Sequence, residues 1–205
     1  MAQPGDPQRD TQRSDADLLA AICRQDMVAL EQLFERYKQA LYQTALGITR
    51  DQQTAEEVIQ DCFYRLYRYA AKLDGSSPLA PWLYRVTVNL CYSRLKKKKR
   101  HWTESFHQLA ERLWSSPRSG PEHIAERREL QSVIRQTLEI LSPQHRAVLV
   151  LHYFHEYNVA EIAEILECPE GTVKSRLYYA RKVLKEQLHT VIAAEDTDLW
   201  LPDLV

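Results

Sequence analysis

Glycine is scarce in this chain, five in 205 residues. That is too few for a turn-dense β-sandwich or a loop-rich scaffold, so helix is the expected state. Cysteine is equally sparse. Cys23, Cys62, Cys91 and Cys168 stand singly, with no C-x-x-C pair and no histidine at ligand spacing. This argues against a zinc module or a disulfide framework and leaves four small residues expected to be buried in a reducing compartment. No run approaches the roughly 18 apolar residues of a membrane span, and MAQPGDPQRDTQRSDAD at the N-terminus has no apolar signal core, so no membrane insertion and a cytoplasmic location are expected. Charge of one sign is also lacking: 27 Lys and Arg face 28 Asp and Glu. Any nucleic-acid binding must therefore come from local clusters rather than a global field. No phosphate loop, activated nucleophile or metal cluster is evident, so neither an enzyme nor a cofactor is expected.

What is present is helical periodicity. Residues 1–14 are polar with Pro4, Gly5 and Pro7 and read as a disordered leader. Ser14 is a candidate N-cap for a first helix with Leu18, Leu19, Ile22 and Cys23 on its apolar side. A second helix, residues 27–49, places Leu30, Leu33, Phe34, Tyr37, Leu41, Ala45 and Ile48 on one face, and a third, near 53–72, does the same with Val58, Ile59, Cys62, Phe63, Leu66 and Tyr67. LDGSSPLAP is turn chemistry. A fourth helix begins near Pro81 and ends in KKKKR, completing a unit over 15–100. Residues 101–121, with SSPRSGP at their centre, read as a linker with one short helix near 106–114. A second helical unit follows over 122–190, where Ser142-Pro143 supplies an N-cap and a first-turn proline, and 191–205 form an acidic tail. The expected fold is all-α, two small helical domains joined by a linker.

Within the second unit, EIAEILECPEGTVKSRLYYARKVL has a short helix, a brief turn and a longer basic helix expected to start at Pro169. Val173, Leu177, Ala180 and Leu184 fall on the inner side, and Lys174, Ser175, Tyr178, Arg181 and Lys182 on the outer. This is a helix-turn-helix pattern that presents its second helix to a major groove, with Gly171 and Thr172 at the end nearest phosphate. An αα-hairpin with a solvated basic face gives the same pattern. Glu167 stands where glycine is common, so a left-handed turn there would be strained by about 1 kcal/mol.

A second basic cluster, Arg85, Arg94, Lys96, Lys97, Lys98, Lys99 and Arg100, lies on the fourth helix with Asn89 and Ser93, which share a face suited to exposed base edges. Trp82 beside Leu83 and Val86 reads as core. His152 and His155 read as two histidines flanking an apolar helical stripe rather than metal ligands.

DADLLAAICRQD, AEEVIQDCFYRLYR, PWLYRVTVNLCYSRLKKKKR and the long segment from LSPQHRAVLVL through ARKVL resemble, in order, the signature segments of extracytoplasmic-function (ECF) sigma factors of bacterial RNA polymerase. The resemblance implies a region 2-like first unit that binds core polymerase and melts the minus ten element, and a region 4-like second unit that reads the minus thirty-five duplex. By motif position it implies polymerase contact at Glu56, Glu57, Gln60 and Asp61. Minus ten contact is implied at Asp74, Ser76, Ser77, Arg85, Asn89, Ser93, Arg94, Lys96 and Lys97. Minus thirty-five contact is implied at Gly171, Thr172, Lys174, Ser175, Tyr178, Tyr179 and Arg181, with Tyr179 departing from the basic residue often found there. An anti-sigma partner is implied as well. The rival reading is a stand-alone helix-turn-helix regulator of transcription.

Overall fold

Local caps start the helices, and shared apolar faces assemble them. The computed structural model describes residues 13–73, 75, 77–101 and 140–192, with side chains described up to 98 in the first stretch of helix ends and 186 in the second. The expected leader before residue 13, the linker with its short helix, the helix over 124–139 and the tail beyond 192 lie outside the described residues. Seven α-helices and one 3₁₀ turn make up the elements described: α1 Asp15–Cys23, α2 Met27–Thr49, α3 Gln52–Tyr69, the 3₁₀ turn Ala70–Lys72, α4 Leu79–His101, α5 Pro143–Tyr153, α6 Val159–Leu166 and α7 Glu170–Ile192.

Ser14 caps α1, its hydroxyl accepting from the Asp17 N–H at 3.1 Å while the Asp17 carboxylate accepts from the Ser14 N–H at 3.3 Å. The Ser14 hydroxyl also donates to that carboxylate at 2.6 Å, and this bond together with the one from the Ser14 N–H favours the ionised form, so Asp17 sits below its usual pKa. Asp26 caps α2 through the Val28 and Ala29 N–H groups. That helix ends on Arg50 in the left-handed conformation, φ 61°, and Asp51 immediately starts α3 through the Thr54 N–H at 2.8 Å. Burial works against the Asp51 charge, but hydrogen bonds from Thr54 and Lys98 outweigh it and hold the carboxyl below its ordinary range. Lys98, at the basic end of α4, thus returns to the start of α3 at 2.9 Å from Asp51.

Leu18, Leu33, Leu41, Ile48, Val58, Leu66, Leu83 and Val88 are fully buried where α1 to α4 meet, and Phe34 meets Phe63 edge-on with ring centroids 4.9 Å apart. Two expected core positions are not buried. Cys23, the last residue of α1, is exposed, and Tyr67 turns out to solvent because Phe63 and Leu66 already fill that end of α3. Cys168 is only half-buried, whereas Cys62 and Cys91 are buried as expected. Trp82 packs against the core.

In the second unit Ser142 caps α5 with Pro143 in its first turn. Residues 147–151, AVLVL, are all buried. Five consecutive apolar residues exceed one turn, so α5 needs partners on more than one side. It packs on α7 and, across the junction between the units, on α2. Asn158 and Glu161 form the capping box of α6, at 3.0 and 2.8 Å. The turn Glu167–Pro169 leads into α7, where Val173, Leu177, Ala180 and Val183 are buried and Leu184 only partly so. Pro169 precedes α7 instead of opening it: its carbonyl accepts from Thr172 and Val173 N–H. Replacing Asn158 by alanine removes the cap of α6 and is expected to lower stability by about 1 kcal/mol, measured as a shift in the urea midpoint at constant slope.

The two units share one continuous hydrophobic core. Arg146, on α5, is buried within it, and burial together with the neighbouring Arg50 pushes its guanidinium down to about 10.

Candidate nucleic-acid and polymerase interfaces

On α7 the fold sorts the anticipated contact residues into two groups. Lys174, Ser175 and Tyr178 face solvent, Tyr178 with 73% of its surface free. Their spacing of one, three and four places them on a single stripe with Gly171. The Ser175 hydroxyl donates to the Thr172 carbonyl at 3.0 Å, and Lys174 lies 3.5 Å from Glu170, one turn back. A Cβ on Gly171 would meet nothing within 4 Å, so internal packing does not require glycine there. Tyr179 and Arg181 belong to the other group. Tyr179 lies against the His145 ring, centroids 4.6 Å apart. Arg181 donates to the Tyr153 hydroxyl at 2.8 Å and to His152 Nε2 at 3.2 Å, and His152 Nδ1 contacts the Tyr157 carbonyl at 3.0 Å. Arg181 is half-buried and ties α7 to α5, while Tyr179 makes its ring contact with α5 and still keeps 48% of its surface exposed.

Along α4, Asn89 and Ser93 are exposed on one face, the Ser93 hydroxyl donating back to the Asn89 carbonyl at 2.9 Å. Ser77, Lys96 and Lys97 are also exposed, while Asp74 and Ser76 lie outside the described residues. The two arginines of this group are occupied. Arg94 forks between Glu57 at 2.7 Å and Asp61 at 2.5 Å, and the Asp61 hydrogen bond keeps its guanidinium pKa above normal. Arg85 reaches the second unit: it donates from Nε to the Ile165 carbonyl at 3.3 Å, to the Glu164 carbonyl at 2.7 Å and to the Glu167 carboxylate at 2.8 Å.

On α3, Glu56 and Gln60 are exposed, and Glu57 and Asp61 are half-buried by their pairing with Arg94. Tyr64, four residues beyond Gln60 and 62% exposed, extends this face. Its place in the same i, i+4 row was the available signal.

The junction between the units also holds a polar cluster around His155. His155 lies beyond the end of α5 rather than on the helix. Its Nε2 is 2.7 Å from the Thr44 hydroxyl and its Nδ1 3.1 Å from the Tyr84 hydroxyl. Thr44 already donates to the Ala40 carbonyl, so it accepts from Nε2–H, and Nδ1 accepts from Tyr84: the cage fits a neutral imidazole. Burial lowers the His155 pKa in the same sense. Among the described residues no group of three or more His, Cys, Asp or Glu is placed to hold a metal, and no helix is long and apolar enough to cross a membrane.

The Sigma-70 region 2 family model matches residues 33–101, and the Sigma-70 region 4 model matches residues 131–184. The chain is 31% identical over 171 residues to the ECF RNA polymerase sigma factor SigW of Bacillus subtilis, covering 80% of this chain and 90% of that protein. It is 32% identical over 180 residues to the ECF sigma factor SigM of Mycobacterium tuberculosis, with 86% of each covered. Among solved structures it is similar in fold to CnrH in complex with the cytosolic domain of CnrY, at TM-score 0.62 and 23% identity, covering 89% of this chain and 99% of that one. It is similar too to the sigma factor RpoE in complex with the anti-sigma factor NepR from Bartonella quintana, at TM-score 0.63 and 23% identity, covering 82% and 98%.

Proposed function

This chain belongs to the ECF group of RNA polymerase sigma factors, and from that premise we propose how its residues divide the work of directing core polymerase to promoters. The unit built from α1 to α4 binds core polymerase through Glu56, Glu57, Gln60, Asp61 and Tyr64 on α3, and holds unstacked minus ten bases against Asn89 and Ser93 of α4. The unit built from α5 to α7 reads the minus thirty-five duplex. The exposed stripe of Lys174, Ser175 and Tyr178 carries this reading: a cation and two hydroxyls on one side of a helix are donors and acceptors for major-groove base edges. Two modest DNA contacts on one chain reinforce each other once polymerase holds both. The chain supplies specificity and performs no chemical step of its own. An anti-sigma partner is part of the proposal, supported by the family and by the complex in which the structurally similar RpoE was solved.

Run-off transcription with core polymerase and a cognate promoter tests this. A chain that binds promoter duplex alone and adds nothing to core polymerase defeats it in favour of a stand-alone regulator. Lys174→Ala is expected to lose about 1 to 3 kcal/mol at the preferred minus thirty-five sequence and less at variants of the contacted base pair. Uniform weakening across sequences would reassign Lys174 to phosphate.

A further inference from the structure

We propose that Arg94 is a promoter contact that core polymerase unmasks. In the free chain Glu57 and Asp61 of α3 hold its guanidinium; when polymerase takes those carboxylates, Arg94 is released to a phosphate of the non-template strand beside Asn89 and Ser93. The step rests on the sigma reading above, because it needs α3 to face polymerase and α4 to face the minus ten element.

The two jobs meet in one ion cluster. Arg94 follows Ser93 directly on α4 and lies one turn before the exposed Lys97, so its backbone belongs to the helix that carries the minus ten face. Its guanidinium is turned across the helix pair, 2.7 Å from Glu57 and 2.5 Å from Asp61. Those carboxylates lie beside the exposed Gln60 and Tyr64. Their side chains keep 40% and 43% of their surface open, so donors on a partner can reach them from outside. Lys98 offers a contrast. It pairs with Asp51 at 2.9 Å, but Asp51 is committed to the Thr54 N–H as the cap of α3 and stands outside the polymerase row. Lys96 and Lys97 are exposed from the start. Among these α4 cations, Arg94 is the one tied to the face that polymerase takes.

An acidic face is met by basic donors on its partner. Each donor that docks on Glu57 or Asp61 competes for the lone pairs that Arg94 uses and sets a like charge beside its guanidinium. That competition succeeds easily, since each partly open pair is worth at most a factor of about five. Arginine stays charged, so a released Arg94 needs another anion. Rotation about its long stem carries the guanidinium from the α3 side toward Lys97, where the dense negative charge of a promoter complex is the DNA backbone. The exchange also runs in reverse. A phosphate that holds Arg94 leaves Glu57 and Asp61 bare for polymerase, so each partner raises the affinity of the other by the same factor. The promoter is thus gripped at this point only after assembly with core polymerase.

Salt dependence reads the exchange directly. Binding to a short labelled oligonucleotide of the non-template minus ten strand is measured for the full chain alone and for the chain assembled with core polymerase. In the assembly, Arg94→Gln is expected to cut the slope of log K against log salt by about 0.7, the value of one single-strand phosphate. Arg94→Lys keeps the charge and should retain that slope. In the free chain, where the fork already holds the guanidinium, Arg94→Gln should not change the slope. Glu57→Gln/Asp61→Asn in the free chain should steepen it by the same amount and tighten binding, and adding Arg94→Gln should abolish the gain. Equal loss from Arg94→Gln in the free and assembled chains, or no loss in either, overturns the unmasking. So does a gain that survives in the triple variant, which would be general charge repulsion relieved. A wild-type chain that neither binds core polymerase nor supports run-off transcription would instead overturn the sigma reading.

Discussion

Replacing both Glu57 and Asp61 by lysine is expected to weaken binding to core polymerase by on the order of a hundredfold, since setting like charges against a complementary surface costs several kcal/mol. The fold adds a second consequence. These carboxylates are the two ends of the Arg94 fork, so the same change places two lysines around an arginine and frees it from α3. These pairs are partly open to solvent, so their loss costs little stability, about 0 to 1 kcal/mol each, and the thermal midpoint should move only slightly. Arg94→Gln separates the roles: it breaks the fork without reversing the face. Core binding near wild-type strength in Arg94→Gln, with severe loss in the double lysine variant, assigns the carboxylates to the interface. Equal loss in both would mean that the fork positions α3 and that its charges are not themselves read. A double lysine variant with unchanged affinity removes this face from the interface.

Leu151→Ala is expected to destabilise the chain by about 2 to 5 kcal/mol, the range for truncating a buried leucine and leaving a partly collapsed cavity. Leu151 has no exposed surface and lies in the helix shared by the α7 and α2 contacts, so the loss acts on a core common to both units. Set against a usual total of 5 to 15 kcal/mol, this is enough to shift the urea midpoint by a large fraction. The transition should remain single, because the units unfold as one body. A loss under about 1 kcal/mol would mean that the surroundings close over the gap. Two resolved transitions in the wild type would mean that the units do not share a core in solution.

Much of this architecture is legible in the sequence because its causes are local. Ser14, Ser142 with Pro143, and the apolar rows of α2 and α3 act over three or four residues, and the structure places them as their spacing implies. What spacing does not carry is the choice of partner across distance. Arg85 and Arg94 look equally free on a basic helix; one caps a helix some 80 positions later and the other binds two carboxylates on α3. Cys23 sits in an apolar pattern but at its last residue, where no neighbour remains to cover it. Glu167 is readable as a strained turn, while the reason to retain glutamate lies in the other unit. The run 147–151 was the one long-range signal in plain view, since an all-apolar turn announces two covered sides without saying what covers the second. In the candidate site the outward stripe of α7 follows from periodicity alone, but the contacts that Tyr179 and Arg181 make with α5 depend on His145, His152 and Tyr153.

The all-apolar turn of α5 also bears on how the chain can be divided. Val150 and its neighbours are covered by α2 of the first unit, so a second unit produced by itself would bare them to water, an apolar surface of the kind that associates nonspecifically. The unit built from α5 to α7 is therefore expected to stay less soluble alone than within the full chain.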